Sequence, residues 1–78
     1  MRQPSEAEPL YLEAERIYRQ SSDDASLDLA NTLRGLALVR EATGPLEAAR
    51  ALWVEARDLY ARCDVTAGVE ECNKRLSS

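Results

Sequence analysis

The residue pattern of positions 7–18 in this chain recurs at positions 49–60. Ala7 corresponds to Ala49, Leu10 to Leu52, Tyr11 to Trp53, Glu13 to Glu55, Ala14 to Ala56, Ile17 to Leu59 and Tyr18 to Tyr60. The interval is about 42 positions, in the range of helical repeats. Small residues match small ones and aromatic residues match aromatic ones, which a shared amphipathic period does not by itself require. The same interval carries past the next loop, pairing Ala25 with Ala67, Leu27 with Val69, Asp28 with Glu70 and Ala30 with Cys72. A repeat of this length is one small helical unit that cannot bury its apolar face alone, so neighbouring units must stack.

The breaks in the pattern define the helices. Pro4 precedes the first periodic stretch. Ser21-Ser22-Asp23-Asp24 is a polar break rich in N-cap residues. In Thr43-Gly44-Pro45, the glycine suits a left-handed position after a helix and the proline suits the first turn of the next. Cys63-Asp64-Val65-Thr66 is a third break, with Asp64 or Thr66 available as a cap. Four helices are therefore expected, over about 5–20, 25–42, 45–62 and 66–76, in a single domain spanning 1–78. Each has an apolar stripe at spacings of three and four. The first carries Ala7, Leu10, Tyr11, Ala14, Ile17 and Tyr18. The second carries Leu29, Leu33, Leu36, Ala37 and Val39, and is apolar most of the way round at its middle, as the most enclosed helix should be. The third carries Leu46, Ala49, Leu52, Trp53, Ala56, Leu59 and Tyr60, and the last Val69, Cys72 and Leu76. Alanine, leucine, glutamate and arginine dominate, all strong helix formers, while aromatic residues make up 5% and Phe is absent. The fold class is all-α.

At this point the chain resembles the tetratricopeptide repeat. That family pairs antiparallel helices A and B around W-x2-L-G-x2-Y, then A-x3-F, then P. The B half reads Ala49-x3-Trp53 followed by Ala56, after Gly44 in the turn, and the A half reads Leu33-x2-Leu36-Ala37. Arg40 departs from the usual tyrosine, and Ala61 from the closing proline. The missing proline is similar to the long-period repeats of kinesin light chains and many bacterial regulators. The resemblance covers about Ser5 to Leu76. It implies antiparallel helix-turn-helix repeats, a fragment of an α-solenoid, arranged as one B helix, one A–B pair and one closing A helix. An ordinary four-helix bundle is the alternative architecture.

The resemblance also implies a function. In this family the A helices line a concave face on which partner peptides lie, and the outward A-helix positions here are Asn31, Arg34, Leu38 and Glu41. Leu38 stands where the family's carboxylate-clamp variety has an asparagine, which disfavours a C-terminal carboxylate ligand. The expected function is a non-catalytic scaffold for a protein or peptide partner. The alternative is self-association as a homodimer, in which incomplete terminal repeats complete one another.

Other chemistry finds little support. There is no His, the commonest general base, and no Ser or Cys has a partner base at a suggestive spacing. Cys63 and Cys72 lack CxxC spacing and are too few to ligate zinc. No catalytic residue, cofactor or metal is expected. A net charge of −4, with 31% charged residues of both signs, argues against nucleic acid, which requires a basic face. No apolar run follows Met1, so no leader and no membrane span are expected, and the chain is expected to be cytoplasmic with both thiols reduced. Trp53, the one tryptophan, lies mid-stripe and is expected to fill the core rather than to anchor a partner.

Overall fold

The computed structural model describes residues 4–21 and 24–77, residues 4 and 5 by their backbone only. Its described residues form four helices: α1 (Pro4–Gln20), α2 (Ser26–Thr43), α3 (Leu46–Arg62) and α4 (Thr66–Leu76). The expected first break includes Ser22 and Asp23, which lie outside the described residues. No Ser or Asp of the described part of that break holds the N-cap position of α2, which falls to Ala25 without a side-chain bond; Asp24, one residue earlier, makes a local turn instead. Asp24 accepts hydrogen bonds from the backbone N–H (3.1 Å) and the hydroxyl (2.6 Å) of Ser26, so it satisfies a donor at the start of α2. The second break is sharper than expected. Gly44 has φ 70° and ψ 167°, a region open in practice only to glycine, and its N–H returns to the Arg40 carbonyl. Pro45 follows a cis peptide bond and stands just before α3 as its N-cap, not within its first turn.

The third break corrects an expectation. Neither Asp64 nor Thr66 caps α4; Val65 holds the N-cap position, without a side-chain bond. Asp64 instead closes α3. It takes a left-handed φ of 59°, its N–H donates to the Ala61 carbonyl, and the Val65 N–H reaches back to Tyr60. That pair of bonds is a Schellman motif with aspartate in the place glycine usually fills.

Close backbone packing runs only between consecutive helices, α1 on α2, α2 on α3 and α3 on α4. Helix α2, flanked on two sides, is the most enclosed: Ala30, Leu33, Leu36, Ala37 and Val39 are all buried. From α3, Ala49, Trp53, Ala56, Leu59 and Tyr60 complete the core, and α4 adds Cys72. No described side chain of α1 is fully buried. Tyr11 packs on the core, and its ring lies over Gly35. Two other members of the α1 stripe depart from expectation: Leu10 is 61% exposed and Ile17 51%. Their counterparts on α3 are half-buried Leu52 and buried Leu59. The physical reason is position, since α3 has a helix on either side and α1 has only α2. Leu46 at the start of α3 is also exposed, not part of the core.

The register expected beyond the loops is kept in part: Ala30 and Cys72 are both fully buried, and Asp28 and Glu70 are both exposed. Five residues separate α1 from α2, but three separate α3 from α4. The pairing of Leu27 with Val69 joins an exposed residue to a half-buried one. At an interval of 40, the spacing of the two helix starts, buried Ala30 would meet exposed Glu70 and buried Leu33 exposed Asn73, so the interval of 42 describes the burial better. Arg40 also finds a role in the fold: it reaches across the α1–α2 seam to an ion pair with Glu8.

Candidate protein-binding face

Asn31, Arg34, Leu38 and Glu41 are spaced by three, four and three, so they share one face of α2. That face turns towards the C-terminal half of the molecule, and the four side chains are held within the chain. Asn31 is exposed, yet its Oδ1 accepts a 2.5 Å hydrogen bond from the Tyr60 hydroxyl on α3. Leu38 is half-buried and packs against the core. Arg34 forms a two-pronged contact with Glu71 on α4, Nε to Oε1 at 2.7 Å and Nη2 to Oε2 at 3.0 Å. Glu41 is shared. One oxygen accepts the Trp53 indole N–H at 2.7 Å, and the other accepts from Arg75 Nη1 at 3.0 Å. The Arg75 guanidinium also lies 5.7 Å from the Trp53 ring centroid, in cation–π range.

The electrostatics follow from this pairing. The Arg34 guanidinium, through its hydrogen bonds first, holds the Glu71 carboxyl below the usual carboxylate range, and Glu71 raises Arg34 in return. The two side chains remain 42% and 31% exposed, so the pair contributes at most about 1 kcal/mol to stability. Burial pushes the Tyr60 phenol and the Cys72 thiol upwards, which keeps both neutral in the ordinary pH range. Cys63 and Cys72 are not bridged to each other.

Two ion pairs, Arg34–Glu71 and Glu41–Arg75, thus lace α2 to α4 where the two backbones do not pack closely. Beside them an open hollow runs along α4, lined by Ala67, Glu70, Glu71, Lys74 and Arg75. Glu71 and Arg75 belong to both features. The α4 half of this face is not legible from the outward positions of α2 alone. The available signal was charge: Glu71 and Arg75 are one helical turn apart and opposite in sign, and the Arg34 and Glu41 they meet are two turns apart and also opposite in sign. Trp53 is 1% exposed and fills the core as expected. Its N–H partner, Glu41, lies across the α2–α3 hairpin and was read as a groove residue. A second, smaller hollow, at the α1–α2 and α3–α4 loop ends, is lined by Tyr18, Arg19, Asp24, Ala25, Ser26, Leu29, Leu59 and Arg62.

Among the described residues no three His, Cys, Asp or Glu side chains converge as metal ligands, and no helix is long and apolar enough to cross a membrane. No protein-family model matches the chain, and no curated protein or solved structure matches it either.

Proposed function

We propose that this chain is a non-catalytic module of the tetratricopeptide type, and that the shared face of α2 and α4 receives a partner peptide or protein. The observation that carries this reading is the side-by-side placement of α2 and α4, laced by two ion pairs and bordered by an open charged hollow. Helices that pack only on their chain neighbours support a stacked-repeat architecture, which generates an extended surface in place of a closed cleft. The matching environments of α2 and α4 support it too. The face alternates in sign, Arg34 with Glu71 and Arg75 with Glu41, so it suits an extended segment carrying both charges better than one dominated by a single sign. A cytoplasmic site of action goes with the two unbridged thiols.

The test uses peptides selected from a displayed random library against the whole chain. Amide shift changes on titration should map to α2 and α4, around Arg34, Leu38, Glu71 and Lys74. The Ala67→Arg variant adds bulk to the hollow at an exposed position that the fold does not use. It should weaken binding about tenfold or more, roughly 1.4 kcal/mol, with helix content unchanged. The double variant Asn31→Ala/Arg34→Ala should also weaken it. Shifts confined to α1, or full affinity in both variants, would mean that this face is not the binding surface.

A further inference from the structure

Helix α1 carries a stripe that the fold covers only in part: Ala7 and Ala14 are half-buried, while Leu10 and Ile17 stay exposed. Leu10 and Ile17 are seven residues apart and lie on one line of the helix, with Ala7 and Ala14 on the same line. Leu10 and Ile17 are among the large apolar side chains most exposed in the molecule. The matching stripe on α3 is Ala49, Leu52, Ala56 and Leu59, and there Ala49, Ala56 and Leu59 are buried in the core shared with α2. The α1 stripe is therefore of a kind that this molecule elsewhere packs against a helix.

We infer that this stripe is a homodimer contact in which α1 packs antiparallel on α1 of a second copy, about a two-fold axis near residue 12. The order of sizes along the helix carries the inference. Positions 7 and 17, and likewise 10 and 14, are symmetric about that centre. In an antiparallel pair, Leu10 meets Ala14 of the second copy, and Ile17 meets its Ala7. Every large side chain faces a small one, so the helices approach closely and the knobs fill their opposing gaps. The pattern is its own complement, which a symmetric contact requires.

The other end of the molecule is a poor partner. Helix α4 exposes Thr66, Ala67, Glu70, Asn73, Lys74 and Arg75, and no large apolar side chain. Stacking α1 of one copy on α4 of another would set Leu10 and Ile17 against charges, in a contact between unlike surfaces that lacks the self-complementarity of α1 on α1. Terminal repeats with a polar outer face act as caps, and α4 fits that description. One feature of α1 opposes the symmetric contact. Glu13 borders the stripe near the axis and approaches its own copy, although its charge is paired with Arg16 within the chain. The contact spans about three turns. It belongs below about 1,200 Å², at the weak end of protein interfaces, so micromolar association is expected. It uses a different helix from the α2–α4 face and does not depend on peptide binding there.

Sedimentation equilibrium of the whole chain from about 1 to 500 µM tests it. The wild type should pass from the 8.7 kDa monomer to a dimer with a micromolar Kd. Leu10→Glu/Ile17→Glu should remain monomeric throughout, with unchanged helix content and Trp53 emission, because both sites are exposed. Glu13→Gln should tighten the dimer several-fold by removing the like-charge approach. Orientation is read by disulfide formation in a Cys63→Ser background: Glu13→Cys should link two copies on mild oxidation, and Glu70→Cys should not. That cross-link reports even if the double variant fails to fold. A monomer at all concentrations overturns the inference. So does a dimer that survives the double variant in folded form, an open-ended series of oligomers, or cross-linking through Glu70→Cys alone.

Discussion

Gly68 and Gly35 both lie beneath tyrosine rings, and the two contacts differ in a way that can be measured. A Cβ added at Gly68 would sit 2.5 to 2.7 Å from Cγ, Cδ1 and Cδ2 of Tyr60, the root of a ring that is 3% exposed. A Cβ added at Gly35 would meet Cε1 and Cζ of Tyr11 at 2.4 Å, the far end of a ring that is only half-buried. Helix propensity alone favours alanine over glycine by about 1 kcal/mol. At Gly68 overpacking should win, because the Tyr60 ring is held at both ends: its hydroxyl is tied to Asn31 and its root is surrounded by the core. Gly68→Ala is thus expected to destabilise by about 1–3 kcal/mol. At Gly35 the Tyr11 ring can swing outwards, and the two effects should nearly cancel. Urea denaturation of both variants checks this. A stabilised Gly68→Ala would show that the Tyr60 ring is not fixed as described.

The helices themselves were legible from local chemistry, because their ends are decided by neighbouring residues. Gly44 before Pro45 stops α2, and the 3-4 spacing of apolar residues fixes which side of α3 is buried. Long-range consequences were less legible. That Leu10 and Ile17 stay exposed depends on how many helices flank α1, which the stripe cannot report. The loops before α2 and α4 differ in length, and Leu27 and Val69, paired by residue type, differ in burial, although Ala30 and Cys72 keep the register. The face of α2 was legible as a set of positions, since spacing alone places Asn31, Arg34, Leu38 and Glu41 together. Their engagement with Tyr60, Glu71, Trp53 and Arg75 was not, because those partners come from other helices. Asp64 shows the same division. Its place in a break was readable, but its left-handed φ of 59°, serving the end of α3, appears only in the structure. Asparagine and aspartate tolerate that conformation, and glycine adopts it without the Cβ penalty. Asp64→Gly should therefore stabilise the fold by about 0.5–1 kcal/mol, a rise in Tm of about 2–8 °C for a domain of this size. An unchanged or lower Tm would mean that the Asp64 side chain contributes something its backbone role does not reveal.

At the scale of the whole molecule, linear packing sets how stability is distributed. A chain in which close backbone packing joins only consecutive helices is approximately a row of units, its stability mainly a sum of nearest-neighbour terms. The central pair, α2 and α3, holds nearly all the buried side chains. Helix α4 contributes buried Cys72 and is tied back by Arg34–Glu71 and Glu41–Arg75. Helix α1 has one flanking helix, half-buried contacts at best, and Pro9 within its second turn, which lacks the N–H needed to hold the first turn. Its remaining ion-pair ties to the other helices are Arg40–Glu8 and Arg19–Glu55, both at least partly exposed. Helix α1 should therefore open without the rest. In native-state hydrogen exchange at low concentration, amides of residues 33–39 and 53–60 should exchange only through global unfolding. Those of residues 10–18 should exchange through a smaller opening, lower by about 1 kcal/mol or more. Uniform protection across all four helices would refute this, and would show a single cooperative unit. The same measurement bears on the α1 contact. A second copy seated on Leu10 and Ile17 closes the side of α1 that the fold leaves open, so raising the concentration through the dimer Kd should slow exchange in α1 and leave α4 unchanged.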